Sequence, residues 1–127
     1  MSAGKSIIQT ANAPAAIGPY SQAVKAGGLL FTSGQLGMDP ATGAFPATAA
    51  EQAKQALDNV KAIVEAAGAS MAQVVKATVF LKNMNDFQAV NEVYSSFFAE
   101  PYPARSAVEV ARLPKDGLVE IEVIVQL

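Results

Sequence analysis

Thr48–Leu81, TAAEQAKQALDNVKAIVEAAGASMAQVVKATVFL, reads as a helix followed by a strand. Thr48-Ala49-Ala50-Glu51 puts a polar N-cap three residues before a glutamate, the spacing of a capping box. Behind it Ala53, Leu57, Val60, Val64 and Ala67 recur at steps of three and four, one apolar stripe of a helix. Lys54, Asp58, Lys61 and Glu65 take other positions, and Gly68 stands where a helix C-terminus favours glycine. The spacing predicts a helix over 48–67. Val74–Leu81 is short and β-branched. Lys76 and Thr78 share one parity, with Val75, Ala77, Val79 and Leu81 on the other, as in a strand.

Downstream, Asn83, Asn85 and Asp86 offer turn and cap chemistry. Phe87, Val90, Tyr94, Phe97 and Phe98 then form a second helical stripe, stopped by Pro101 and Pro103. Ser106, Val108 and Val110 alternate with Ala107, Glu109 and Ala111 as a strand. Leu113–Gly117 is a Pro and Asp-Gly turn. In Leu118–Leu127, Val119, Ile121, Val123, Val125 and Leu127 share one face. Upstream, Ile7–Gln9, Gln22–Ala26 and Leu29–Ser33 are shorter strand candidates, the last two joined by a Gly27-Gly28 hairpin turn. Gly37–Ala50 is the longest loop. The order β-β-β-α-β-α-β-β lacks strict βαβ repetition. It predicts an α+β fold with both helices on one face of a mixed sheet.

The chain has 127 residues, the size of one domain, so residues 1–127 are expected to share a single core. Nine basic and eleven acidic residues give a formal charge of −2, with no basic block along the chain. An electrostatic case for nucleic acid is therefore weak. There is no Cys and no His. That excludes disulfides, thiolate nucleophiles, Cys/His metal sites and every triad with an imidazole base. Proton chemistry must come from carboxylates, Tyr, Lys, water or backbone. Met1–Thr10 lacks the apolar core of a signal peptide, and no stretch reaches the ~18–20 apolar residues of a membrane span. A soluble, cytoplasmic protein is expected.

A few residues stand out. Glu120 and Glu122 share the second face of the last strand with Ile124, a face either wet or partly covered by another subunit. Arg105 is one of only two arginines and lies at the start of a strand. Its planar, permanently charged fork suits a carboxylate, and a surface ion pair is the plainer use. If the final two strands pair across the Pro114–Gly117 turn, Arg105 lies at the far end from it. Tyr20 follows a Gly-Pro turn. Ser33 and Gly34 end a strand with small residues, where a ligand can reach the backbone or the chain can simply turn. Asn91 lies off the second helical stripe. The aromatic residues on that stripe read as core rather than as a ligand platform.

Together, Ile17-Gly18-Pro19-Tyr20-Ser21-Gln22-Ala23, Thr32-Ser33-Gly34-Gln35, Pro103-Ala104-Arg105-Ser106, Val110-Ala111-Arg112-Leu113-Pro114 and Glu120-Ile121-Glu122 strongly resemble the RidA/YjgF family of reactive-intermediate deaminases. The likeness runs over essentially the whole chain, and its C-terminal block is the most specific part. It implies a chorismate-mutase-like fold and a homotrimer whose sheets line a central barrel, with clefts between subunits. It implies hydrolysis of enamines and imines, such as 2-aminoacrylate and 2-aminocrotonate, to 2-oxo acids and ammonia, without a cofactor or metal. Arg105 would grip the substrate carboxylate. Glu120 would stand by the imine carbon and its attacking water, and Tyr20, Ser33, Gly34 and Asn91 would line the cleft. Ala107 stands where several members carry Cys, which puts thiol regulation in doubt and leaves the Arg and Glu chemistry intact.

Two further functions are open at this point. A ribonuclease or translation inhibitor fits poorly with no His and a pI of about 5.0. A non-catalytic module binding a small carboxylate would use Arg105 and dispense with Glu120.

Overall fold

The computed structural model describes residues 4–127; Met1–Ala3, the start of the segment read above for a leader, lie outside it. Seven strands and two helices appear in the order β1 (Lys5–Ile8), β2 (Ala23–Ala26), β3 (Leu29–Thr32), β4 (Gln35–Leu36), α1 (Ala49–Ala66), β5 (Val74–Leu81), α2 (Phe87–Ser95), β6 (Ala104–Glu109) and β7 (Val119–Gln126). One mixed sheet runs β1-β2-β3-β7-β5-β6, with the short β4 also on β7. All pairs are antiparallel except β5–β6, which is parallel and is bridged by α2. A parallel pair cannot close by a hairpin, so the chain must cross over, and here a helix makes the crossing.

The last two strands therefore do not pair across the Pro114–Gly117 turn. β5 lies between them, pairing Leu81 with Glu109 on one side and with Val119 on the other. The alternating pattern identified each strand and carried no information about which neighbour it took. β4 is a second departure, too short for a periodic signal. In a third, α2 ends at Ser95, and Phe97 and Phe98 pack against the core from beyond it.

α1 forms as its sequence dictates. The Thr48 hydroxyl accepts from Glu51 N at 3.2 Å and donates to the Glu51 carboxylate at 2.8 Å, and Gly68 turns out of the helix with φ +83°. Its Ala53, Ala56, Leu57, Val60, Ile63 and Val64 are buried against Leu30, Ala77, Val79, Leu81, Val119, Ile121, Val123 and Val125 of the sheet. Each large aliphatic side chain so buried contributes roughly 1.5–3 kcal/mol relative to exposure. Gly37 lets β4 approach α1, since a Cβ there would collide with the Gln52 backbone. Asn59, buried in α1, donates to the carbonyls of Leu36 and Met38 at 3.1 and 2.9 Å and fixes that segment. No helix is long and apolar enough to cross a membrane among the described residues.

The other face of the sheet carries no helix. Register places Val24, Phe31, Phe80, Val108 and Ile124 there with Glu120 and Glu122, and Phe31 and Val108 are each 41% exposed. Lys76, Thr78 and Ser106 share it, Thr78 directly opposite Glu122, so the Glu-bearing face mixes apolar and polar side chains.

Candidate active site

β3 and β4 both run along β7, with a fault between them. Phe31 pairs with Ile124 and Gln35 with Ile121, so Thr32, Ser33 and Gly34 face only Glu122 and Val123. One extra residue makes this a β-bulge, which kinks the strand and re-aims its side chains. Thr32 repairs the ladder: its buried hydroxyl accepts from Val123 N at 3.0 Å. Ser33 ties the fault to β2, its N–H donating to Gln22 O at 2.9 Å and its hydroxyl to Ser21 O at 2.5 Å.

The bulge turns Gly34 onto Glu120. A Cβ on Gly34 would lie 2.8 Å from Glu120 Cδ and 2.9 Å from its Oε1, so glycine is the residue that leaves the carboxylate room. Glu120, half-buried between β4 and β5, opens into a cleft of about 410 Å³ lined also by Ile17, Tyr20, Gly34, Leu36 and Lys115. Burial, and secondarily the charge of Glu122, hold the Glu120 carboxyl above the ordinary carboxylate range. The wall carrying Ile17 and Tyr20 is held by Gln22. Its buried side-chain amide donates to the carbonyls of Thr10 (3.0 Å), Ala13 (3.3 Å) and Pro14 (2.8 Å), while its oxygen accepts from Thr10 N at 2.7 Å.

Arg105 belongs to a different cleft, about 430 Å³, shared with Asn91, Tyr94, Tyr102 and Pro103. Its Nη1 donates to Asn91 Oδ1 at 2.6 Å. Its Cζ lies 4.8 Å from the centre of the Tyr94 ring and 5.3 Å from that of Phe87. Among the described residues it pairs with no carboxylate, whereas Arg112 is bound to Asp116 at 2.8 Å. Beyond Asn91, the guanidinium has no hydrogen-bond partner among the described residues.

One chain thus brings Tyr20, Gly34 and Glu120 together, and separately Asn91 and Arg105. It does not join the two groups. Arg105 pairs with the helix-facing Ala77, and Glu120 with Phe80 on the opposite face. Two strand spacings and three residues separate them, roughly 9–10 Å in each direction. Ser33 lies beside the first group, its hydroxyl occupied by Ser21.

The family model for endoribonuclease L-PSP matches residues 10–127. The chain belongs to that family, also called RidA/YjgF. Among its relatives, this RidA-family chain is 59% identical over 120 residues to the 2-iminobutanoate/2-iminopropanoate deaminase of Escherichia coli K12, covering 92% of this chain and 94% of that one. Its fold matches the crystal structure of E. coli TdcF with bound serine at a TM-score of 0.92, with 53% identity, over 96% of this chain and 98% of the other. It matches the E. coli YjgF gene product at 0.91, with 57% identity, over 95% and 98%.

Sequence reading of this RidA-family chain missed Gln22 and Thr32, whose value lies in buried hydrogen bonds. It also assigned Phe87 and Tyr94 to the core alone. Their spacing with Asn91, at i, i+4 and i+7, was the available signal of a shared face.

Proposed function

We propose that this chain hydrolyses 2-iminobutanoate and 2-iminopropanoate to the 2-oxo acids and ammonia. The site would be completed between copies, by Arg105 of one and Glu120 of the next. The observation that carries this reading is a carboxylate-free, pre-ordered guanidinium and a half-buried glutamate lying on opposite faces of one sheet. The 59% identity to such a deaminase supports taking them as the two halves of one site. A homotrimer with its uncovered sheet faces turned inward as a barrel would bury Phe31 and Val108 and bring unlike halves together at each of its boundaries. A cytoplasmic place, beside the pyridoxal-phosphate dehydratases that release such intermediates, goes with this function.

The chemistry asks little of the protein. The enamine first gains a proton on carbon to become the imine. Arg105 fixes the carboxylate through its free edge, converting an encounter into a held geometry. Glu120, as carboxylate, accepts a proton from water as the oxygen bonds to the imine carbon, and the C=N π electrons move to nitrogen. That proton passes to nitrogen to give the carbinolamine; the proton of its new hydroxyl then follows to nitrogen through Glu120, the C–N bond breaks, and ammonia leaves as the carbonyl forms. Base assistance of this kind is typically worth 10²–10⁴-fold. A raised carboxyl pKa also makes the protonated form easier to reach in the second half.

The test is direct. With 2-aminoacrylate generated in situ by a serine dehydratase, pyruvate should appear faster when this protein is present. Equal rates with and without it would overturn the reading.

A further inference from the structure

Arg105 sits on an edge strand, where a long side chain would ordinarily sample many rotamers. Here α2 presents a shelf to it. Phe87, Asn91 and Tyr94 follow one face of the helix, two rings flanking an amide. The guanidinium carbon lies within cation–π range of both rings, at 5.3 and 4.8 Å, and one nitrogen is bound to Asn91. The Tyr94 hydroxyl is buried and has no hydrogen-bond partner among the described residues. Its oxygen therefore contributes no contact, and what Tyr94 offers Arg105 is the face of its ring. Phe98 backs the shelf, its ring centre 4.6 Å from that of Tyr94.

We infer that Phe87 and Tyr94 are positioning residues for carboxylate binding: their ring faces hold the Arg105 guanidinium in place, with Asn91 taking one edge and the other left open. The inference rests on Arg105 being the carboxylate clamp. A side chain ordered before binding loses less freedom when the ligand arrives, so the shelf acts on affinity. The chemical step at the imine carbon lies beyond its reach.

The experiment compares Tyr94→Phe, Tyr94→Leu and Phe87→Leu with the wild type by two readouts. The first is the NMR shift of the Arg105 side-chain signals, which nearby ring faces move upfield with or without substrate. The second is KM against kcat for imine hydrolysis. Tyr94→Phe should keep the shifts and both constants, since the lost hydroxyl had no partner. Tyr94→Leu should move the Arg105 signals downfield and raise KM about threefold to tenfold with kcat within about twofold. Phe87→Leu should do the same more weakly, at a site less buried than Tyr94. Unchanged Arg105 shifts and KM in the leucine variants would overturn the shelf, as would equal losses in Tyr94→Phe and Tyr94→Leu. A wild-type KM in Arg105→Lys would instead remove the clamp reading, and the Arg105 shifts would still report whether the rings hold that side chain.

Discussion

Gly34 and Glu120 fit each other through a missing carbon: the place of a Gly34 Cβ is 2.8 Å from the Glu120 carboxyl carbon. Gly34 has an ordinary backbone conformation, so a methyl group there would displace the carboxylate without straining the chain. Gly34→Ala is expected to fold, to keep its affinity for 2-oxo acids, and to lose at least about tenfold in kcat. Circular dichroism, 2-oxobutanoate binding and turnover on the same sample decide it. Full turnover would mean that the carboxylate position does not matter.

Glu120→Gln should lower kcat by at least about tenfold, ~1.4 kcal/mol in the barrier, because an amide accepts a proton from water poorly. It should also be no less stable than wild type at pH 7. The carboxyl is raised in the folded state by burial first and Glu122 second. The wild type is therefore free of a charge-burial penalty below the unfolded pKa of about 4, and loses stability as pH rises through the folded value. The advantage of Gln should appear with rising pH and vanish in acid. Urea midpoints at pH 7 and in acid below about pH 4 measure it.

Glu122 provides the electrostatic control. Removing its charge lets Glu120 ionise more easily, so Glu122→Gln should move the acid limb of the pH–rate profile to lower pH. Its rate at neutral pH should stay within about twofold of wild type. A limb shifted upward would contradict Glu120 as the base.

Arg105→Lys keeps the charge and loses the fork, and should cost at least about tenfold in kcat/KM. Co-refolding Arg105→Lys with Glu120→Gln in equal amounts then tests where the site lies. In a C3 trimer, a site drawing one residue from each of two neighbours would be intact in about a quarter of cases, so about a quarter of wild-type activity should return. No recovery in scattering-verified trimers of three 13.1-kDa chains would place both residues in one chain's site.

The helix over 48–67 and the strand at 74–81 were legible because burial repeats along them: Leu57, Val60 and Val64 on one, Ala77, Val79 and Leu81 on the other. Pairing was not, since β6 carries the same alternation whether β5 or β7 lies beside it. Arg105 and Glu120 stood out by residue type. Their placement on opposite faces depends on the Ala77 and Phe80 pairings, which no local pattern reports. Gln22 and Thr32 escaped for a related reason: a polar residue in a strand looks alike whether it meets water or a buried carbonyl.

The bulge at Thr32–Gly34 has a consequence for insertions and deletions. Dropping one of these residues would leave Phe31 opposite Ile124 and Gln35 opposite Ile121, each still on its present face, joined by an unbroken ladder. The shortened chain would have the more regular sheet, and the residue before Gln35 would pair with Glu122 instead of being turned onto Glu120. Length here is thus held by chemistry against the sheet's own preference. Elsewhere, on the exposed stretch Pro40–Ala44, a residue gained or lost disturbs no strand pairing.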